Sequence, residues 1–255
     1  MIRLARRSNL AAQITERLFE AILQGELKPG ERIIETKMAR QLGVGQSTFR
    51  EALQALEHRG LITKDRGTFV TRLTLQDFEA LFTVRLELEP LAASMACGKL
   101  TCKHIRQLEF FLREMKKARQ RRDFITLVKN DIAFHQLIWE LPQVSSLNRI
   151  LNLVLSPLFA FSLNTLFHAS SDDLSLVEER FEREYEDHCR LLTALREGKP
   201  DEVKREFRII MQRYLQETLD DAKAGRAQGT SSQPHPANGQ TLAEVRESLL
   251  EDRAH

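Results

Sequence analysis

Apolar side chains recur every three or four positions along most of the chain, and this spacing predicts helices almost throughout. In LAAQITERLFEAILQ, at 10–24, Leu10, Ile14, Leu18 and Ile22 fall on one helical face, and Gly25 with the Pro29-Gly30 pair ends the element in a turn. ERIIETKMARQLGV follows. It holds a short helix carrying Met38, Ala39 and Leu42, with Thr36 placed to cap it and Gly43 to break it. Ser47 is placed to cap a further helix, Thr48–Arg59, whose apolar face is Phe49, Ala52, Leu53 and Leu56 and which Gly60 stops. LITKDRGTFVTRL then has strand character on both sides of Asp65-Arg66-Gly67, which predicts a β-hairpin with a basic tip.

Two short helices joined by a tight glycine-containing turn make a helix-turn-helix, and the added hairpin makes it a winged one. From Leu75 onward the pattern is helical alone. It predicts six helices, at 76–98, 104–121, 123–140, 144–167 (interrupted or kinked by Pro157), 175–197 and 200–223. Pro200 sits well at a first helical turn. The fold class is therefore mainly α, a winged helix-turn-helix domain followed by an all-helical bundle. The divisions expected are a DNA-binding domain at 8–73, a helical domain at 74–222 and a tail at 223–255. AGRAQGTSSQPHPANGQ has almost nothing to bury and reads as disordered, with one brief helix at 242–250 after it.

Charge changes this picture in one respect. The net formal charge is +2, but residues 1–72 carry 13 Lys and Arg against 8 Asp and Glu, while the remainder carries 25 against 28. A basic module on a mildly acidic body suits a phosphate backbone. Cys97, Cys102 and Cys189 lack the paired spacing of a metal or redox site and read as thiols of a reducing compartment. The first ten residues lack the apolar core of a signal peptide, and no run of about 18 uncharged apolar residues stands out. A cytoplasmic location with no membrane span is the expectation.

In helix-turn-helix docking the start of the second helix points into the major groove. Gln46, Ser47 and Thr48 offer hydrogen-bonding groups there, for phosphate oxygens or, from Gln46, for an adenine edge. Arg50 reaches a guanine edge or a phosphate, unless an ion pair with Glu35, Glu51 or Glu57 holds it; Arg66 at the wing tip meets backbone or minor groove. In the body, LVKNDIAFHQLIWE sets Asp131 and His135 four apart on one helix face, and His188 lies in EYEDHCRLL. A carboxylate with imidazoles from different helices is metal-ligand chemistry, and a plain hydrogen-bonded pair has the same spacing.

The quoted segments resemble the GntR family of bacterial transcription regulators, in the branch with an FCD helical C-terminal domain. The resemblance spans about 8–222 and rests on LKPGERI at Leu27–Ile33, MARQLGV at Met38–Val44, REALQALEHRGLI at Arg50–Ile62 and RGTFV at Arg66–Val70. It implies that Arg50 contacts operator DNA, that Gly67 is the wing-tip glycine, and that some members carry a DNA-contacting arginine at the position of Thr36. The family has Arg where this chain has Gln46 and often Pro where it has Thr48, so the operator sequence is expected to differ. The resemblance also implies a divalent metal, Zn²⁺ or Ni²⁺, on Asp131, His135 and His188, and places Ile210 where the family's fourth ligand, a histidine, stands. Either three protein groups hold a metal with more water or effector oxygens, or the three line an effector pocket without one. Arg85 matches an arginine that pairs with an effector carboxylate, or else with Glu87 or Glu89. The implied protein is not an enzyme. It is a homodimeric regulator, a repressor by the family's usual arrangement, of double-stranded operator DNA under control of a small anionic metabolite. Two other readings stand beside it: a metal-dependent enzyme using Asp131, His135 and His188, and an architectural DNA-binding protein without a small ligand.

Overall fold

The computed structural model describes residues 3–170 and 175–227. The chain divides into two compact units that meet between Arg72 and Leu73. The expected tail beyond Ala227, with its helix at 242–250, lies outside the described residues.

The N-terminal unit runs α1 (Arg3–Leu23), β1 (Arg32–Ile33), α2 (Glu35–Gln41), α3 (Gln46–His58), β2 (Ile62–Lys64) and β3 (Thr68–Val70). Its three strands form an antiparallel sheet in the order β1-β3-β2, with Arg32 opposite Phe69 and Thr63 opposite the same residue from the other side. Strand β1 went unanticipated because two residues are too few to show an alternation. The core joins Ile14 and Leu18 of α1 to Phe49, Leu53 and Leu56 of α3 and to Leu61 and Val70, all nearly or fully buried. Gly43 turns the chain between α2 and α3 at a φ of 66°, a value that strains any residue with a Cβ.

Two expected caps are corrected. Ile34, in extended conformation, precedes α2, and Thr36 lies inside its first turn. Gly45 precedes α3, which starts at Gln46, so Ser47 is also inside the helix. Neither N-terminus has a side-chain cap. In the second case the Gly45 carbonyl accepts from Phe49 N–H at 3.0 Å, so the helix begins two residues earlier than the hydroxyl residue suggests.

The second unit is a bundle of α4 (Leu75–Ala96), α5 (Cys102–Gln120), α6 (Phe124–Glu140), α7 (Ser145–Ser170), α8 (Ser175–Glu197) and α9 (Pro200–Ala227). These are the six helices expected, with two differences. Pro157 sits inside α7, which runs on as one element, and α9 continues past the expected end at Lys223. Phe78, Phe82, Leu108, Phe134, Trp139 and Phe207 make the fully buried centre. By length and apolar composition alone, Ser145–Leu166 of α7 is long enough to cross a bilayer. Its Leu151, Leu155 and Leu158 are instead fully buried in the bundle, where α7 packs on α4, α6 and α9. All three cysteines are free thiols.

Helix α4 is set by a capping box. The Thr74 hydroxyl accepts from Asp77 N–H at 3.1 Å, and the Asp77 carboxylate accepts from Thr74 N–H at 2.9 Å. Replacing such a cap by alanine typically costs about 1 kcal/mol. Thr74→Ala is therefore expected to lower the unfolding free energy of the helical unit by about that amount in urea denaturation followed by circular dichroism.

Candidate nucleic-acid interface and candidate metal centre

Helix α3 buries Thr48, Phe49, Ala52, Leu53 and Leu56 and turns Gln46, Ser47, Arg50 and Gln54 outward. Thr48, at 4% exposure, thus belongs to the inner face, and its hydroxyl is withdrawn from the surface that meets solvent. The reason is periodicity: Thr48 stands four residues before Ala52 and shares its side of the helix. Gln54, four residues after Arg50, joins the outer face and was missed because only the first turn of the helix was considered.

The Arg50 side chain is 63% exposed and gives its Nε–H to Glu35 at 2.9 Å, one of the three ion pairs expected for it. Glu35 also accepts from the Thr68 hydroxyl at 3.2 Å, so one carboxylate ties α2, α3 and β3 together at the foot of the outer face. An exposed pair of this kind is worth at most about 1 kcal/mol, so it orients Arg50 without holding it against a phosphate or a base. Thr36 is exposed on α2. At the wing tip Arg66 is exposed with φ of 50°, and Asp65 N–H donates to the Gly67 carbonyl at 3.0 Å. A Cβ on Gly67 would stand 3.0 Å from Phe69 Cε2 and 3.4 Å from Arg32 Nε. The tip is therefore a tight basic turn in which Arg32, unremarked in the sequence, lies beside Gly67.

In the helical unit, α6 and α8 bring Asp131, His135 and His188 together, and all three are at least 94% buried. Asp131 Oδ1 lies 3.2 Å from His135 Nε2 and 3.1 Å from His188 Nε2, and the two Nε2 atoms are 3.3 Å apart. Ligand atoms about 2.0–2.1 Å from one ion stand about 3.3 Å from each other in a tetrahedron and about 3.0 Å in an octahedron. The triangle therefore matches three vertices of a coordination shell, and the donor set suits a divalent transition metal. His188 Nδ1–H donates to the Glu184 carbonyl at 2.6 Å, which leaves the Nε2 lone pair facing the triangle.

Electrostatics favour the same use. Burial opposes a charged His188, but the Asp131 carboxylate beside it prevails and its pKa is raised. Burial likewise opposes the Asp131 carboxylate, and His188 and then His135 bring its pKa down. Asp131 and His188 thus stabilise each other's charged forms, in a pairing that a cation can replace. Withdrawal from water, and then the Asp131 charge, push Glu184 up to about 8, so it carries its proton at neutral pH.

Asp131, His135 and His188 open on a cavity of about 40 Å³ that Arg85, Ile210 and Tyr214 also line. That is room for an ion with water, and a metabolite enters only as lining side chains give way. Arg85, 4% exposed, pairs with Glu89 at 3.1 Å, while Glu87 pairs with Arg208. Its guanidinium lies 5.2–5.8 Å from the ring centres of Phe82, Phe159 and Tyr214. Glu184 and Tyr214 carried no sequence signal, since nothing in a helical repeat tells which of many surface-type residues a neighbouring helix will enclose.

Residues 80–215 match the model of the FCD domain, and residues 10–70 match that of the bacterial regulatory proteins of the gntR family. The chain is 27% identical over 214 residues to the uncharacterized HTH-type transcriptional regulator YdhC of Bacillus subtilis strain 168, covering 83% of both proteins. It is 25% identical to a probable D-xylose utilization operon transcriptional repressor of Paenarthrobacter nicotinovorans, covering 83% of this chain and 90% of that one. Among solved structures, Escherichia coli McbR/YncC has the same fold, with a TM-score of 0.67 at 22% identity over 83% of this chain and 97% of that one. A transcriptional regulator of Rhodococcus sp. RHA1 matches at 0.63 and 20% identity over 85% and 98%. With the winged helix and the six-helix bundle both in place, the chain belongs to the GntR family of bacterial regulatory proteins with an FCD domain, and it is a sequence-specific DNA-binding transcriptional regulator.

Proposed function

We propose that this regulator is a homodimeric repressor whose grip on an operator is set by a small anionic metabolite, bound in the helical domain against Arg85 and a divalent cation. The DNA-binding domain is residues 8–73, with Gln46, Ser47, Arg50 and Arg66 facing the duplex; the effector and dimerisation domain is residues 74–222. The observation that carries the reading is the Asp131–His135–His188 triangle, a set of buried metal-ligand atoms at ligand-to-ligand spacing on the wall of a cavity. A cation there and Arg85 in the same wall give the cavity two positive centres, which select an anion such as a sugar acid or hydroxy acid. Ile210 leaves a coordination position for water or an effector oxygen. The Paenarthrobacter relative, named as a repressor of a sugar-utilisation operon, supports repression. The similar proteins named above are regulators, which weighs against the catalytic use of the same three residues.

Dimerisation follows from the outer face of α4. Leu81, Val84, Leu88, Leu91 and Met95 repeat with heptad spacing, and Val84, Leu91 and Met95 are 39%, 42% and 36% exposed. An uninterrupted apolar seam of this kind is buried by a second helix of the same pattern. The double variant Val84→Glu, Leu91→Glu is expected to shift the molar mass by light scattering from dimer to monomer, with circular dichroism unchanged. A dimer that persists would move the interface elsewhere. The effector reading is tested by fluorescence anisotropy on DNA from upstream of the protein's own gene, with and without Zn²⁺ and a panel of sugar acids and hydroxy acids. Release of the duplex by one of them is expected, and binding indifferent to every member and to the cation would favour the architectural reading.

A further inference from the structure

Three buried polar atoms behind the metal-ligand triangle lack a well-formed hydrogen bond: His135 Nδ1, Glu89 Oε1 and Arg85 Nε. Both oxygens of Glu89, a residue with no exposed surface, are in that state. Buried polar groups are nearly always partnered, so such a cluster has a use for its members. These atoms face one another. Glu89 Oε1 is 3.1 Å from Arg85 Nε and 3.6 Å from His135 Nδ1. Arg85 and Glu89 are one helical turn apart on α4, and α4 packs on α6, which carries His135. The His135 ring is thus engaged on both sides. Its Nε2 points at Asp131 and His188, and its Nδ1 at Glu89.

We propose that Glu89 is the positioning residue of the cation site, a buried carboxylate that takes the Nδ1 proton of His135 in a hydrogen bond and so presents the Nε2 lone pair to the cation. The inference rests on the cation reading above and extends it to a residue outside the cavity wall. A carboxylate, unlike an amide or a hydroxyl, only accepts when ionised, so it fixes one of the two neutral tautomers of the imidazole. It also raises the basicity of the nitrogen that binds the metal. His188 reaches the same state by another route, through the backbone carbonyl of Glu184. The two histidines are thus oriented from outside by different elements, α4 for one and α8 for the other. The Arg85 guanidinium lies beside Glu89 and supplies its counter-charge. Because the same Arg85 lines the cavity, the chain Arg85–Glu89–His135 gives an anion at the arginine a direct route to the geometry of the cation site.

Removing Glu89 alone would strand the Arg85 charge, so the test changes both. Arg85→Met with Glu89→Leu deletes the pair and every acceptor near Nδ1, and replacing both partners of a buried ion pair by apolar groups is tolerated by many folds. Two readouts are taken on the full chain: affinity for Zn²⁺ alone, by chelator competition, and the tautomer of His135 in cation-free protein, by long-range ¹H–¹⁵N correlation, with His135→Gln to assign the signal. The wild type is expected to show Nδ1–H, Nε2-unprotonated His135. The double variant is expected to lose this preference and to bind Zn²⁺ about 10–100-fold more weakly. Arg85→Met with Glu89→Gln restores an acceptor oxygen without the charge pair, and because an amide can also donate it is expected to recover the tautomer preference and the affinity only in part. If Glu89 is only the counter-ion of Arg85, the Leu variant will keep the tautomer and the affinity of the wild type, and the proposal falls. Should the wild type bind no Zn²⁺, the cation reading fails by itself, and the tautomer of His135 still decides the role of Glu89.

Discussion

Arg50→Ala is expected to weaken operator binding by about 10²–10³-fold while leaving the fold intact. The magnitude follows from position. Arg50 stands on the outward face of α3, 63% exposed, one turn from the start of the helix. A well-placed arginine contact in the major groove contributes about 1–3 kcal/mol, and a symmetric dimer loses two at once. The protein itself loses little, because the side chain's partner is Glu35 in a surface pair, and such pairs contribute less than about 1 kcal/mol. Glu35 keeps the Thr68 hydroxyl at 3.2 Å after the change, so no buried charge is exposed to loss. Anisotropy titrations at several salt concentrations separate two versions of the contact. If Arg50 binds phosphate, the slope of log K against log salt falls by about 0.9 per lost contact. If it reads a base, the slope holds and discrimination between operator variants collapses instead. Unaltered operator affinity in Arg50→Ala would remove α3 from the groove altogether.

The same helix shows how far the sequence reaches. Apolar spacing at Phe49, Ala52, Leu53 and Leu56 was enough to place α3 and its inner face, because burial of that stripe is what holds the helix down. The polar first turn was harder to read. Thr48 was grouped with Gln46 and Ser47 by chemistry, yet it lies on the inner side at 4% exposure, since position on a helix is decided by angle and a hydroxyl is small enough to tolerate the core. The caps at Thr36 and Ser47 were each misplaced by two residues for a related reason. A hydroxyl near a helix start is a favourable cap, but here extended backbone at Ile34 and Gly45 starts each helix first.

In the bundle, Asp131 and His135 were legible from their spacing of four and His188 from its place in a later helix, and the family resemblance joined the three as one ligand set. The structure brings the three ligand atoms within 3.3 Å of one another. Glu89 was visible in sequence only as one of two candidate partners for Arg85. That it faces His135 depends on how α4 lies against α6, a tertiary fact that no local pattern encodes.

Zinc binding is expected to vanish in His135→Ala and in Asp131→Asn, a larger effect than any change behind the ligands can produce. Among the described residues the ligand cluster holds three protein groups, and Ile210 supplies no fourth, so losing one leaves two. In the wild type, Zn²⁺ at a hundred times its dissociation constant adds about 2.7 kcal/mol to stability, by binding the folded state alone. The variants are expected to unfold at the same temperature with and without the metal. Trp139 gives a second, local readout. It is the only tryptophan in the chain, it is fully buried, and its ring centre is 6.1 Å from that of His135. Adding Ni²⁺, which quenches indole emission at short range, is expected to dim the wild type and leave both variants bright. Asp131→Asn matters as the near-isosteric case: it keeps volume and hydrogen-bonding capacity and removes the charge, so loss of binding there cannot be blamed on a collapsed cavity. If Asp131→Asn and His135→Ala bind Zn²⁺ as the wild type does, the ion sits elsewhere. The three residues would then be the polar lining of an effector pocket, with the His188 pKa raised by Asp131 beside it.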